Sequence, residues 1–314
     1  MSTAPADRTA PVGPVGPAGP VGPAPTAAER TAQRAAIRRR SPRRIATALG
    51  KAVGVVLVLV FSLFPFYWML STAVDPNPLG RGASWLPTGF TLKNFRFVLV
   101  DAGFLDYVKN SAVVALGTVL ISGAIALLAA VAVARFRFRL RTQVLILVLL
   151  VQMVPLEALV IPLFLQARNL HLLNSMLGLI IVYLAFSLPF AIWNLRGFVA
   201  AVPKELEEAA YVDGANWLRM FRSILFPLVA PGLVATSVFS FITAWNEFIF
   251  ALTFMQDSSK YTVGVGLRSF FTQNTANWGA VMAASTIIAL PVVIFFVLVQ
   301  RNLASGLTQG AVKG

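Results

Sequence analysis

The sequence predicts an all-α integral membrane protein with six transmembrane helices and both termini on the cytoplasmic side. Composition is the first reason. Hydrophobic residues make up 57% of the 314 and charged residues only 12%, whereas a soluble domain carries about 25% charged residues. The mean hydropathy of +0.76 agrees. The second reason is that six apolar stretches reach membrane-spanning length, about 20 residues each. The third is the distribution of cations. With the N-terminus inside, segments 1–51, 135–141, 196–227 and 300–314 hold 19 of the 26 Lys and Arg, and segments 74–109, 166–172 and 253–276 hold the other 7. Such an excess of Lys and Arg marks the cytoplasmic loops.

The formal charge of +14 does not indicate nucleic acid, because much of it flanks the apolar runs, where membrane orientation requires it. The partner this charge implies is the lipid bilayer. Cysteine is absent, which excludes disulfides and Cys-ligated metal.

Residues 1–35 read as a disordered Pro/Gly-rich leader. Gly13, Gly16, Gly19 and Gly22 recur at every third position, too few repeats for a collagen helix. Residues 36–51 are a basic cytoplasmic flank with Arg38, Arg39, Arg40, Arg43, Arg44 and Lys51. The transmembrane domain covers 52–299. Span one is expected at about 52–73, with Pro65 inside it, followed by a loop over 74–109 rich in turn signals. Span two, about 111–134, carries Gly117, Gly123, Ala124, Ala129 and Ala130, small residues that let helices approach closely. Span three is expected at about 143–165 and span four at about 173–195. Span five follows at about 228–252 and span six at about 277–299. A cytoplasmic tail, 300–314, closes the chain.

One polar island, 202–233, stands out between spans four and five. Pro203 sits where a first helical residue would, and Glu205, Glu207 and Glu208 occupy the first turns, where the helix dipole favours acids. Asp213-Gly214 reads as a break, since Gly accepts the backbone angles of a sharp turn. Trp217, Leu218, Phe221, Ile224 and Leu225 then recur at helical spacing, with Pro227 and Pro231 as the next boundary. The expected shape is helix, turn, helix, facing the cytoplasm and suited to docking rather than to chemistry.

Two carboxylates, Glu157 and Glu247, fall inside apolar spans. A carboxylate there is costly unless it faces protein or a water-filled path. Three readings stand open: a structural hydrogen bond between helices, a place on a translocation path, and proton coupling. Trp245 and Asn246 beside Glu247 offer a stacking face and hydrogen bonds of the kind a sugar uses, and an interfacial or core role fits Trp245 equally. The prolines at 65, 155, 162, 189 and 291 free backbone carbonyls and kink helices. His171 is the single histidine, so neither a His-based metal site nor a catalytic set is present. No GxxxxGK[ST] loop occurs either, so the chain lacks the usual phosphate cradle for ATP.

The residues of the polar island resemble a family signature. Glu208-Ala209-Ala210, Asp213-Gly214, Ile224 and Pro227 are similar to the EAA loop of the membrane subunits of bacterial ABC importers, with Phe226 where Leu is usual. Asn110-Ser111, Ile161-Pro162-Leu163, Leu173-Asn174-Ser175, Trp245-Asn246-Glu247-Phe248 and the terminal Gly306-Leu307-Thr308 and Gly310-Ala311-Val312-Lys313-Gly314 resemble the carbohydrate-uptake branch. Within that branch the resemblance is to MalG-like permeases and covers nearly all of 35–314.

The resemblance implies a type I ABC-importer permease fold in which 202–227 is the coupling loop. It also implies a second homologous permease subunit forming a heterodimer, two cytoplasmic ATPase subunits and an extracytoplasmic solute-binding protein. ATP and magnesium belong to the ATPase partners, and no cofactor or catalytic residue is expected in this chain. In the family the glutamate at the position of Glu208 pairs with basic residues in an ATPase groove, and the glycine at Gly214 bends the loop. A sugar is the implied cargo. A polyol or glycerol-phosphate importer is the alternative, and a secondary transporter is a more distant one.

Overall fold

The computed structural model describes residues 42–310 except 81, 83 and 272–276, together with Thr26, and describes side chains over 46–300 within that range. The expected leader 1–35 (Thr26 apart), Arg38, Arg39 and Arg40, and residues 311–314 of the tail lie outside the described residues. The chain divides into two units, Met1–Leu63 and Phe64–Gly314. Thr26 apart, the described part of the first is the N-terminal portion of α1 (Pro42–Ala73), whose Leu57, Phe61 and Leu63 side chains are exposed.

The architecture is all-α. After α1 come α2 (Lys93–Arg96), which continues into a π-helical turn Phe97–Asp101, and α3 (Phe104–Arg135). Next are α4 (Arg141–Gln152), a 3₁₀ turn Leu156–Leu159, α5 (Val160–Asn169) and α6 (Met176–Ala201). Then follow α7 (Lys204–Val212), α8 (Trp217–Asn246), α9 (Ile249–Phe254), α10 (Val263–Arg268) and α11 (Trp278–Gly310). Among the described residues five helices are long and apolar enough to cross a membrane: Ala46–Ala73 of α1, α3, α6, α8 and Trp278–Gln300 of α11. The bent pair α4–α5 makes the sixth crossing if counted as one span.

Within the second unit α3 is the central post. It packs along α6 and α8, and α8 packs in turn on α6 and α11. Small residues permit this: Ala115, Ala126 and Ala130 of α3 are fully buried, so the backbones come close without a strong hydrophobic drive in lipid. At Gly232 of α8 the ring of Phe198 occupies the space a Cβ would need. Larger side chains there would push α6 and α8 apart. Two apolar clusters result. One gathers Phe104, Leu179, Tyr183, Trp245, Phe250 and Phe254. The other gathers Ala126, Val131, Leu195, Val199, Ala210, Leu225 and Val229 and holds the end where α7 sits.

Spans one, two and four run six or seven residues beyond one expected end, and two spans differ in kind from the sequence expectation. Span three, expected as one helix over 143–165, bends by 92° between α4 and the Leu156–Asn169 half. Pro155 adopts an extended backbone there (φ −61°, ψ 128°), and a proline disfavours the helical region for the residue before it. Span five, expected over 228–252 with Pro227 and Pro231 as its boundary, instead starts at Trp217 and stops at Asn246. The π-helical turn Phe221–Leu225 precedes Pro227. A π-turn shifts the hydrogen-bond register by one residue, so the missing proline N–H interrupts a ladder already locally rearranged. The second short helix expected in 202–233 is therefore the first turns of α8.

Candidate functional site

The loop between α6 and α8 forms a tight corner. Pro203 precedes α7, and Glu205 and Glu207 lie in its first turn. At the other end Gly214 takes φ +78°, with its N–H donating to the Tyr211 carbonyl at 3.1 Å while the Ala215 N–H donates to the Ala210 carbonyl at 2.9 Å. This is a Schellman ending, which requires the left-handed conformation that glycine adopts without strain. Asn216 then caps α8, its side chain accepting from the Arg219 N–H at 2.9 Å.

The two faces of α7 have opposite character. The inner face buries Glu207 and Ala210. The Glu207 carboxylate accepts from Arg135 Nε at 2.6 Å, with the two side chains only 11% and 10% exposed. A second nitrogen of Arg135 donates to the Val202 carbonyl at 2.8 Å. The outer face presents Glu205, Leu206, Glu208, Ala209, Tyr211 and Val212 to the surroundings, and Val212 is 87% exposed. Glu208 has no hydrogen-bond or ion-pair partner among the described residues. Beside it, the start of α8 carries Trp217 stacked on Phe221 at 5.4 Å. A shallow groove of ≈ 540 Å³ there is lined by Asn216, Leu218, Arg219, Arg222 and Ser223. Ile224 is half-buried and Pro227 exposed on the same helix.

The candidate path residues are distributed otherwise. Trp245 is fully buried, stacked on Phe241 at 5.5 Å, and Asn246 is exposed. Glu247 sits at the break after α8. Its carboxylate accepts from the Phe250 N–H at 2.8 Å and the Ala251 N–H at 3.1 Å, and from the Tyr183 hydroxyl at 2.6 Å. It thus caps α9 and ties it to α6. Glu157 lies in the turn after Pro155, exposed and without a partner among the described residues. A cleft of ≈ 220 Å³ opens at that bend, lined by Gln152, Val154, Phe186, Phe190 and Thr243 among others. It contains neither Trp245 nor Glu247. Among the described residues no group of three His, Asp or Glu could hold a metal ion.

Sequence reasoning missed the Arg135–Glu207 pair. One signal could have found it: Glu207 and Ala210 are three apart and share a helix face, and a small residue on that face marks the side that packs. Sequence reasoning also missed Tyr183 as a partner of Glu247, for which nothing in the local pattern gives notice.

The long apolar helices, one of them a broken span, define the class as a multi-pass membrane protein. Residues 122–309 match the family described as "Binding-protein-dependent transport system inner membrane component". The chain belongs to that family, the permease subunits of ABC importers, and to its carbohydrate-uptake branch of MalG-, DasC- and SugB-type permeases. It is 44% identical over 264 residues to the diacetylchitobiose uptake system permease protein DasC of Streptomyces coelicolor, covering 83% of this chain and 96% of that one. It is 39% identical over 265 residues to the trehalose/maltose transport system permease protein MalG of Thermococcus litoralis, covering 83% and 95%. The fold is shared with a chain of a bacterial ABC transporter that imports the acidic polysaccharide alginate, with a TM-score of 0.69 at 21% identity over 83% of this chain and 98% of that one. Such permeases are non-catalytic transport components, and the family's importers combine permease, ATPase and binding protein.

Proposed function

We propose that this chain forms half of the translocation path of an ATP-driven sugar importer and couples to cytoplasmic ATPase subunits through 202–227. The outer face of α7 carries the proposal. A nine-residue helix fixed on one side by a buried ion pair presents apolar and acidic groups outward, among them Glu208, which has no hydrogen-bond or ion-pair partner among the described residues. Glu208, Ala209 and Ala210 start the coupling element, Asp213 and Gly214 turn it, and Ile224 and Pro227 carry it into α8. The excess of Lys and Arg in the loops on this side supports a cytoplasmic location for α7 and for both termini.

The partners are a second homologous permease in a heterodimer, two ATPase subunits that bind ATP and magnesium, and an extracytoplasmic solute-binding protein. The named cargoes of the relatives, diacetylchitobiose, trehalose and maltose, support a di- or oligosaccharide. The cleft at the bend of span three, lined by Gln152 and Leu156, supports a path there, and Glu157, outside the cleft lining, is exposed at the next position in the chain. The capping role of Glu247 makes it a support for the path wall, with Trp245 behind it and Asn246 exposed at the break. The test is uptake into proteoliposomes holding the whole importer, using labelled diacetylchitobiose, trehalose, maltose and glycerol phosphate with and without internal ATP. ATP-dependent uptake of a sugar is expected. Uptake of glycerol phosphate alone, or uptake driven by an ion gradient without ATP, would overturn the sugar reading or the ATP-coupled reading respectively.

A further inference from the structure

α7 has few means of transmitting force. It is nine residues long, buries only Glu207 and Ala210, and ends in a single-glycine turn. The helix it must move, α3, is the one packed along both α6 and α8. Ala210 of α7 shares an apolar cluster with Ala126, Ala130 and Val131 of α3, and the polar link between the two helices is the Arg135–Glu207 pair, 72 residues apart in the chain, at 2.6 Å. We propose that Arg135 and Glu207 are positioning residues that tether α7 to the end of α3, so the two move as one body when the ATPases close. This inference rests on the docking role of α7 proposed above.

Three observations favour a tether over an incidental ion pair. The pair is about nine-tenths buried, so water neither screens it nor competes for it as it would at the surface. The guanidinium holds two points on the corner at once, Glu207 of α7 and the Val202 carbonyl before it, and a planar fork with two partners fixes orientation as well as distance. The neighbouring cations Arg137 and Arg139 are exposed and make no ion pair among the described residues, so the register of Arg135 is selected from several arginines. Buried pairs serve best as devices of register. Force arriving at α7 thereby reaches α3 and, through the shared cluster of Ala126, Val131, Leu195 and Val229, both of its neighbours.

The absence of cysteine allows a direct test. Nitroxide labels are placed by Leu128→Cys on the exposed face of α3 and Lys204→Cys at the start of α7. Interspin distances are then measured in the whole importer, nucleotide-free and trapped with ADP and vanadate, the other subunits having been freed of cysteine. A tether predicts one narrow distance that is the same in both states. Arg135→Gln and Glu207→Gln each broaden it and make it depend on nucleotide. Arg135→Lys, which keeps the charge and loses the fork, falls between. A parent distance that changes on trapping would overturn the proposal without any variant of the pair. So would an Arg135→Gln distribution indistinguishable from the parent in both states. The docking role fails separately, by copurification of the ATPase with a Glu208→Lys permease in which the pair is intact.

Discussion

Two regions of this molecule use a carboxylate to hold a helix in place, buried at Glu207 and half-buried at Glu247, and they do so with different partners. At the corner, Glu207 meets a guanidinium from another helix, and the opposite face of the same helix is left open. At the break in span five, Glu247 is consumed by two backbone N–H groups and the Tyr183 hydroxyl. The corner is fixed on its inner face and exposes its outer one. The break is fixed on itself and presents little beyond Asn246. A carboxylate can therefore be held by a cation from another helix or by backbone N–H groups next to it, and its position in the sequence does not tell which.

The comparison can be broken by removing one anchor at a time. The largest effect is expected at the corner: Glu207→Ala leaves the Arg135 charge buried and unpaired, a loss of about 3 kcal/mol or more, read as a lowered thermal midpoint of the detergent-solubilised permease. Glu247→Ala should cost less, about 2 kcal/mol, because the orphaned groups are neutral N–H and O–H donors. The same thermal assay ranks the two, and Glu247→Gln, which keeps an acceptor, should recover part of the loss. Gly214→Val places a β-branched residue at φ +78°, costing about 1–2 kcal/mol in backbone strain. Its transport should fall to background while membrane insertion, followed by surface labelling, stays intact. Glu208→Gln should change stability by less than about 0.5 kcal/mol, the usual range for an exposed site, and yet weaken ATPase association.

Much of the corner was legible in the chain. Acids in a first turn, a glycine at the stop and a heptad-like run after it are local signals, and local physics determined each of them. The partner of Glu207 was not legible, because Arg135, Arg137, Arg139 and Arg141 look alike as an orientation signal, and the tertiary fold decides which one turns inward. The spans were legible as apolar lengths. Their breaks were less so. Pro155 marked a kink and gave no measure of a 92° bend, while Pro227 looked like a boundary and lies within a continuous α8 because the preceding π-turn absorbs it. Trp245-Asn246-Glu247 reads as a candidate solute contact, and the bonds of Glu247 to the Phe250 and Ala251 N–H groups and to Tyr183 were not legible, because they depend on where the helix breaks and on which residue α6 brings alongside.

We propose that the outward face of α7 receives the ATPase and that the inward face holds the helix in place. The most direct measurement is the amount of ATPase subunit that copurifies with the permease pair when Glu208 and Glu207 are altered in parallel. Glu208→Lys should lose most of the bound ATPase while keeping the parent's thermal midpoint, and Glu207→Gln should lower the midpoint while ATPase is retained. Full ATPase retention and undiminished ATP-dependent uptake in Glu208→Lys would contradict the account.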